Sequence, residues 1–395
     1  MLLLKQTCHI LSTYAADVSG VCSALYEMGG MTIMHDASGC NSTYNTHDEP
    51  RWYSNPSLVF ISALSETEAM LGDESKMIGD ITRAAKELQP RFIAIAGTPI
   101  PMMMGTDFRG VAKDIEAASG IPTFGFATNG MHSYVSGAGR ALAAVAERFC
   151  DRGAQADKLT AAVVNILGAT PLDFSITGNV AAMKEYFVQN GFKVQSIWAM
   201  ASEWDELMQA GRANVNVVVS SSGLPLAKTL KNIFGTPYVA GIPLGEKFGQ
   251  KLLSAVREVA ACGIDINAAE ETKKEIKCGK RIYAVGEAVW AASVCASLRE
   301  DFGLTNVCAI AAADGGESLI GEGDYAIVDE EDIFAKLTDA DAVIADPLYK
   351  PALPGIDRQF ISFPHEGYSG RIYRKEIPLM IGDKFNTRFG REIMK

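Results

Sequence analysis

The chain has 395 residues, a formal net charge of -11, and 48% hydrophobic and 21% charged residues. At roughly 100–200 residues per domain, this length predicts two or three domains, and the apolar content excludes wholesale disorder. The sequence has no long basic stripe, and neutralising nucleic-acid phosphates needs clustered Lys and Arg. We therefore expect no nucleic-acid partner.

The N-terminal sequence MLLLKQTCHILSTY does not have the pattern of a signal peptide, because its apolar stretches are short and no basic region precedes them. The sequence contains no window of about 18 uncharged apolar residues, so we expect no membrane span and a cytoplasmic location. Its eight cysteines form no CxxC pair. That scatter argues against a disulfide framework and against a classical zinc site.

One pattern recurs along the chain: a short apolar run ends in Gly or a small polar residue, and a helical pattern follows. Such continuous apolar runs predict strands that are buried on both faces, and hence parallel. The clearest runs are residues 91–98, 161–170, 215–223 and 281–287, and residues 342–347 are another. Residues 31–34 are predicted as a short strand. Helical spacing is found at residues 21–27 and at residues 178–190, the latter ending at Gly191 as a C-cap. This alternation predicts a doubly wound α/β fold.

The spacing of these runs predicts three Rossmann-like domains with parallel sheets. The first covers residues 1–155 and is followed by the second at 156–278 and the third at 279–395. Each is close to the usual size of a domain.

Candidate site residues lie where strands end, because ligands of open α/β sheets sit beyond the carboxyl ends of the strands. After the first predicted strand, the turn HDASGC contains His35, Asp36 and Cys40. Thiolate and imidazole are soft or borderline ligands, so this turn is typical of a metal or redox site. The alternative is that Cys40 is a small buried hydrophobic residue.

A second candidate is the run of Ser220, Ser221 and Ser222, which follows a predicted strand. Its hydroxyl and amide groups suit an anion or another polar ligand; the alternative is an ordinary helix N-cap. The sequence has no GxxxxGK[ST] segment, so we expect this chain to bind and hydrolyse no nucleotide. It also has no GxSxG and no HExxH motif.

Several further segments matter in combination with the HDASGC turn. They are residues 62–72 (SALSETEAMLG), 98–107 (TPIPMMMGTD), 120–124 (GIPTF), 164–168, 280–286 and 363–373 (FPHEGYSGRIY). In order and spacing, over essentially the whole chain, they resemble the catalytic components of nitrogenase and of nitrogenase-like reductases. That family includes the light-independent protochlorophyllide reductase and the nickel-sirohydrochlorin reductase of methanogens. The HDASGC turn is similar to the family's HGPxGC turn, whose Cys ligates an iron–sulfur cluster.

The sequence departs from the family pattern at two of the three usual cluster ligands. The first family Cys would fall near Ala15, and Pro99 stands where the family has another Cys. Of the three, Cys40 remains. The resemblance implies a [4Fe–4S] cluster shared across a dimer interface, for which Cys22 and Cys40 of both subunits would supply four ligands.

Other residues near this turn have roles that the resemblance leaves open. Asp36 or Cys8 could serve as a ligand instead of Cys22, and His35 could hydrogen-bond a cluster sulfur. Residues 102–104 are three consecutive methionines, which we expect to fill a core or an interface.

The resemblance also implies a pocket for substrate or cofactor. In the α chain of the molybdenum–iron protein, one Cys and one His hold the active-site cofactor. The position of that Cys corresponds to the neighbourhood of Ser220 in this sequence, and the position of that His to the neighbourhood of His365. Because the Cys is replaced, we expect no nitrogenase-type cofactor and no nitrogen fixation. His365 could be a ligand, a proton donor or a substrate contact, since an unperturbed imidazole titrates near neutrality.

The resemblance implies that this chain is an oxidoreductase. It would be the catalytic component of a two-component, ATP-dependent, nitrogenase-like reductase. It would form a homodimer, or a heterodimer with a paralogous subunit, and receive electrons from a separate ATP-dependent iron–sulfur reductase. Two alternatives stay open. One is a scaffold or carrier for the assembly of a metallocofactor or tetrapyrrole. The other is a metal-free relative that binds a small ligand at the three serines.

Overall fold

The computed structural model describes residues 12, 16–37, 39, 48–155, 163–270, 279–351, 353 and 359–393. Within these residues the strands form one four-stranded and two five-stranded sheets. Strand pairing within the sheets is parallel throughout. The predicted α/β fold with three parallel sheets is confirmed. The predicted domain boundaries adjoin residues outside the described ranges and stay predictions.

The first sheet lies in the N-terminal part of the chain. Its strands are β1 (Met31–His35), β2 (Leu58–Ile61), β3 (Ile93–Gly97) and β4 (Thr123–Phe126). The helices around them are α1 (Asp17–Leu25), α2 (Glu66–Leu71), α3 (Ser75–Leu88), α4 (Pro99–Met104), α5 (Phe108–Ser119) and α6 (Tyr134–Phe149). The strand order is β2-β1-β3-β4, so the order reverses between β1 and β3. Both of these strands are buried along their whole length.

The second sheet follows in the middle of the chain. Its strands are β5 (Val163–Leu167), β6 (Lys193–Ile197), β7 (Val215–Val218), β8 (Tyr238–Ala240) and β9 (Ile266–Asn267). Its helices are α7 (Pro171–Phe174), α8 (Asn179–Gln189), α9 (Trp204–Met208), α10 (Leu224–Phe234) and α11 (Glu246–Cys262). The order β6-β5-β7-β8-β9 reverses between β5 and β7. Gly191 follows α8 with a φ of 84°, in the left-handed region that its predicted capping role requires.

The third sheet is formed by the C-terminal part of the chain. Its strands are β10 (Ile282–Gly286), β11 (Val307–Ala311), β12 (Tyr325–Ala326), β13 (Ala342–Ala345) and β14 (Gln359–Ser362). Its helices are α12 (Ala288–Phe302), α13 (Glu330–Lys336), α14 (Glu366–Ser369) and α15 (Asp383–Ile393). The order β12-β11-β10-β13-β14 reverses between β10 and β13.

Helices α1 and α6 pack with their backbones in contact. A Cβ atom on Gly137 would overlap the carbonyl oxygen of Asp17, and one on Gly20 would overlap the carbonyl oxygen of Tyr134. This close approach explains the small residues in α6. It also explains why α1 begins at Asp17, four residues before the start of the predicted helix. Gly20 lowers the helical propensity of this segment, but packing against α6 stabilises the helix there.

The three sheets share one hydrophobic core. A single cluster of buried side chains extends from Leu25 in α1 through Phe187 in α8 to Trp290 in α12 and Phe389 in α15. Two smaller clusters lie within the third and the first sheet. The sheets are therefore packed into one body, with a seam where the carboxyl ends of the second and third sheets meet.

Candidate functional site

Buried polar side chains of the second and third sheets meet at this seam, which we call the cleft. The second sheet reverses its order between β5 and β7, which are followed by Asp173 and Ser221. The third sheet reverses between β10 and β13, which are followed by Glu287 and Asp346. Such switch points are where open α/β sheets bind ligands. A hydrogen bond between Ser221 and Glu287 joins the two points directly.

Two hydroxyl groups hold the carboxyl group of Asp173 in the cleft. Its Oδ1 accepts a 2.7 Å hydrogen bond from the Tyr134 hydroxyl of α6, and its Oδ2 accepts one of 2.7 Å from Thr170. Thr170 is the N-cap of α7, so the turn that ends β5 fixes the carboxyl group. Burial, followed by the nearby Glu287 charge, raises the pKa of Asp173 to about 7. Burial also raises the pKa of Glu287.

His365 faces Asp173 from the third sheet. Its Nδ1 accepts a 3.2 Å hydrogen bond from the Gly367 amide, so the proton of the neutral ring is assigned to Nε2. Nε2 has no hydrogen-bond partner and lies 3.7 Å from Asp173 Oδ1. Burial lowers the pKa of His365 to about 3. The ring is therefore neutral at neutral pH, whereas the sequence alone predicts an imidazole that titrates there.

Two carboxyl side chains hold the backbone around His365. Asp346 Oδ2 accepts hydrogen bonds of 2.8 Å from the His365 amide and 2.8 Å from the Ser369 hydroxyl. Glu366 pairs with Arg374 at 2.6 Å and accepts a 2.7 Å bond from Ser175, which precedes α8. These contacts fix α14 against the second sheet.

The three predicted serines lie in the cleft, and all are buried. The Ser220 hydroxyl donates to the Gly168 carbonyl at 2.9 Å and contacts the Ser222 hydroxyl. Both the amide and the hydroxyl of Ser221 donate to Glu287. The loop thus already binds the carboxyl group of Glu287. Ligand binding by Ser220, Ser221 and Ser222 stays a prediction.

The turn after β1 forms a separate polar site on the first sheet. His35 Nδ1 lies 2.8 Å from the Ser62 hydroxyl, and Asp36 Oδ1 accepts a 2.8 Å bond from the Thr98 hydroxyl. Asp36 and Thr98 follow β1 and β3, between which this sheet reverses its order. His35 Nε2 has no hydrogen-bond partner. Burial lowers the pKa of His35 to about 4, so its ring is also neutral.

Cys22 and Asp36 differ as candidate ligands. The Cys22 thiol, on α1, is fully buried in the hydrophobic core. Burial and the negative charge of Glu49 raise the pKa of Cys22, which disfavours the thiolate that a cluster needs. Asp36, by contrast, lies in the predicted turn. Burial of the thiol thus argues against Cys22 as a cluster ligand, and Asp36 stays a candidate.

Two of the predicted ligands, Cys8 and Cys40, lie outside the described residues. Within the ranges that the structure describes, no group of three or more His, Cys, Asp or Glu side chains is arranged to hold a metal ion. In the same ranges, no helix is long and apolar enough to cross a membrane. The roles predicted for Cys22, Cys40, His35 and His365 remain predictions.

Sequence reasoning overlooked Asp173 and Tyr134. Asp173 could have been predicted from the sequence, because the segment after β5 reads Thr-Pro-Leu-Asp, a helix-capping sequence at a strand end. Tyr134 had no local signal: it lies at the start of α6 and reaches the cleft only because that helix packs on the second sheet. Met103 is 84% exposed, so of the two roles expected for residues 102–104 it does not fill the core, and the interface role stays a prediction.

Comparisons with known proteins identify relatives. The family described as "Nitrogenase component 1 type Oxidoreductase" matches residues 18–309. The nitrogenase iron-molybdenum cofactor biosynthesis protein NifE of Clostridium pasteurianum is 27% identical over 186 residues, covering 46% of this chain and 38% of NifE. A light-independent protochlorophyllide reductase chain of Angiopteris evecta is 24% identical over 265 residues, covering 60% of this chain and 52% of that one.

The fold is similar to that of a solved nitrogenase structure. The structure titled "Nitrogenase Cp1 at pH 6.5" aligns with a TM-score of 0.68 and 15% identity, covering 100% of this chain and 94% of that one. The chain spans about half, or less, of the length of the curated relatives it matches. The family match covers well over half of the chain, and this protein is therefore a member of the nitrogenase component 1-type oxidoreductase family.

Proposed function

We propose that this chain is the catalytic component of a two-component, ATP-dependent, nitrogenase-like reductase. The observation that carries the proposal is the cleft at the two switch points, in a chain whose residues 18–309 match a family of oxidoreductases. The cleft concentrates buried polar side chains, among them His365 Nε2 with its hydrogen-bonding capacity unused. Groups of this kind are suited to bind and orient a polar substrate.

In this proposal the chain's own residues position a substrate and exclude water from it. The neutral His365 would donate a hydrogen bond through Nε2, so of its three predicted roles the substrate contact is the best supported. Asp346 orients His365 by accepting its backbone amide. The rigid pairing of Glu366 with Arg374 keeps α14 in place.

A [4Fe–4S] cluster shared between two subunits is the second part of the proposal; when bound, it would supply single electrons. Cys40 from each subunit would hold it together with one further residue from each. The predicted Cys22 and the alternatives Asp36 and Cys8 compete for that second place. Burial of Cys22 and the position of Asp36 in the turn favour Asp36.

The partners in this proposal are a second subunit and a separate enzyme. The second subunit is a copy of this chain or a paralogue of it. The separate enzyme is an ATP-hydrolysing iron–sulfur protein, which is required because this sequence has no P-loop.

The test is the iron and acid-labile sulfide content of the full chain after strictly anaerobic purification. We expect about two of each per chain, which is one [4Fe–4S] cluster per dimer. Cys40→Ala should reduce both to background, whereas Cys262→Ala, at an exposed cysteine, should retain them. Folded protein that never holds iron would overturn the proposal, and full iron in Cys40→Ala would overturn that ligand assignment.

The second ligand is decided by two further variants in the same assay. We expect Asp36→Ala to lose the cluster and Cys22→Ala to keep it. The reverse result would restore the original ligand set and would mean that α1 moves to expose the thiol.

A scaffold or carrier for cofactor assembly is the second candidate function. It is favoured by the 27% identity to NifE, a protein named for iron-molybdenum cofactor biosynthesis. A scaffold would hold a cluster or tetrapyrrole without turnover. Two results would favour this function. The iron-loaded protein would transfer its cofactor to an acceptor protein, and it would consume no electrons when mixed with an iron–sulfur ATPase and ATP.

A further inference from the structure

Asp173 has no assigned role, yet it faces both Tyr134 and His365 in the cleft. We propose that Asp173 is a proton-holding group which, with the Nε2–H of His365, forms a donor pair for a ligand bearing a hydrogen-bond acceptor. The chemical use of that proton, in reducing an unsaturated ligand, rests on the proposed function; the proton site itself does not.

The contacts of Asp173 suit two protonation states. Tyr134 and Thr170 each place a hydroxyl group 2.7 Å from one carboxyl oxygen. A hydroxyl both donates and accepts hydrogen bonds. When Asp173 is ionised, both hydroxyls donate to it. When it is protonated, one hydroxyl rotates and accepts. The proton can thus be taken up or released without movement of the backbone.

The titratable groups that face Asp173 come from three neighbouring elements. Glu287 precedes α12, Tyr134 reaches in from α6, His365 is the N-cap of α14, and Tyr368 lies within α14. Among the described residues, no Lys or Arg forms an ion pair with Asp173 or with Glu287. Two buried carboxyl groups without a counter-cation favour retention of a proton.

His365 cannot take that role itself. Its ring is neutral and its Nδ1 already accepts the Gly367 amide, so Nε2 only donates. At 3.7 Å, Nε2 and Asp173 Oδ1 are too far apart for a good hydrogen bond. Since Nε2 has no other partner, an acceptor atom of a ligand could meet both donors at once.

Two donors near Asp173 are buried and unpaired. His365 Nε2 and the Tyr368 hydroxyl are both buried, and neither has a hydrogen-bond partner. An unpaired buried donor costs free energy. An acceptor atom supplied by a ligand would therefore stabilise this site.

In a reduction, proton transfer from this site would be balanced as follows. The O–H bond of Asp173 breaks and a new bond to hydrogen forms on the ligand, while the electrons come from a low-potential iron–sulfur reductant. The carboxylate then regains a proton from water.

The experiment is an infrared pH titration of the full chain without partner or substrate. Wild-type protein should show a protonated carboxyl band that disappears as the pH rises through neutrality. Asp173→Asn should lack this band, and Asp265→Asn, at a surface ion pair, should keep it. A band that persists in Asp173→Asn would assign the proton to another group, such as Glu287, and overturn the inference.

A second variant tests the same proposal if Asp173→Asn fails to fold. Tyr134→Phe removes a hydrogen bond that stabilises the ionised carboxylate, so the midpoint of the band should move to higher pH. An unchanged midpoint in folded Tyr134→Phe would also overturn the inference. These results do not depend on electron transfer or iron content, so failure of the proposed function is a separate outcome.

Discussion

Two buried imidazoles contribute to the acid sensitivity of the protein. Burial lowers the pKa of His35 to about 4 and that of His365 to about 3, from an ordinary value of 6.5. In the unfolded chain these rings take up protons below about pH 6.5, whereas in the folded protein they stay neutral. The contribution of these two histidines to stability is therefore complete above that pH and is lost as the pH falls toward the folded-state values, whereas the raised pKa of Asp173 acts in the opposite direction.

We expect the free energy of unfolding to decrease by up to about 1.4 kcal/mol per pH unit for each of the two histidines between about pH 6 and 4.5. Urea unfolding at a series of pH values measures this slope. His365→Gln should remove its share of the slope, and the variant with His35→Gln in addition should remove both shares. A slope in His365→Gln equal to that of the wild type would contradict the neutral, buried imidazole.

At the scale of elements, the contact of α1 with α6 is the one most sensitive to a single methyl group. A Cβ on Gly137 would overlap the backbone of Asp17, and backbone atoms cannot yield as a flexible side chain can. Gly79 in α3 is the matched control, because a Cβ there meets nothing within 4 Å.

The same substitution at these two helical glycines should have opposite effects. We expect Gly137→Ala to destabilise the protein by about 1–3 kcal/mol or more, through overpacking. Gly79→Ala should stabilise it by about 0.5–1 kcal/mol, because Ala has the higher helical propensity. Thermal or urea unfolding of both variants measures this. A Gly137→Ala protein as stable as the wild type would mean that α1 can shift away from α6.

Elements were predictable from sequence where the signal is local. The strand cores β3, β5, β7, β10 and β13 follow from apolar runs that only a doubly buried strand can satisfy. The two-residue strands β9 and β12 carry no such run and were not predicted. Likewise, the turn after β1 was predicted as a polar site because His35 and Asp36 directly follow an apolar run.

The cleft was predictable only in part, because its partners meet through tertiary packing. Ser220 and His365 follow strand ends and were predicted. The link between Tyr134 and Asp173 spans 39 residues, and the pairing of Ser175 with Glu366 spans 191. No local pattern encodes such distances. The neutral state of His365 also depends on burial that only the assembled sheets create.

For the whole molecule, each pair of sheets is joined by hydrogen bonds at the rim of the cleft. Tyr134 joins the first part of the chain to Asp173 of the second, and Ser221 joins the second to Glu287 of the third. The Ser133 amide joins the first to Asp314 of the third at 3.0 Å. Beneath these contacts lies the shared hydrophobic core.

A core shared by all three sheets should make unfolding cooperative. We expect a single calorimetric transition whose van't Hoff and calorimetric enthalpies agree, rather than one transition for each sheet. Exposing any one sheet would leave apolar surface of its neighbours in water, which costs about 25 cal/mol per Å². Two or three resolved transitions in the wild type would contradict this expectation.

The variant Asp314→Ala separates two contributions to the cooperativity of unfolding: that of the polar contacts at the rim of the cleft and that of the shared hydrophobic core. It removes the bonds from Ser133 and His132 at a partly exposed position, where each hydrogen bond contributes about 1 kcal/mol. If the core couples the sheets, the transition temperature of Asp314→Ala falls slightly and the transition stays single. If the transition splits in this variant and not in the wild type, the polar contacts at the rim hold the sheets together.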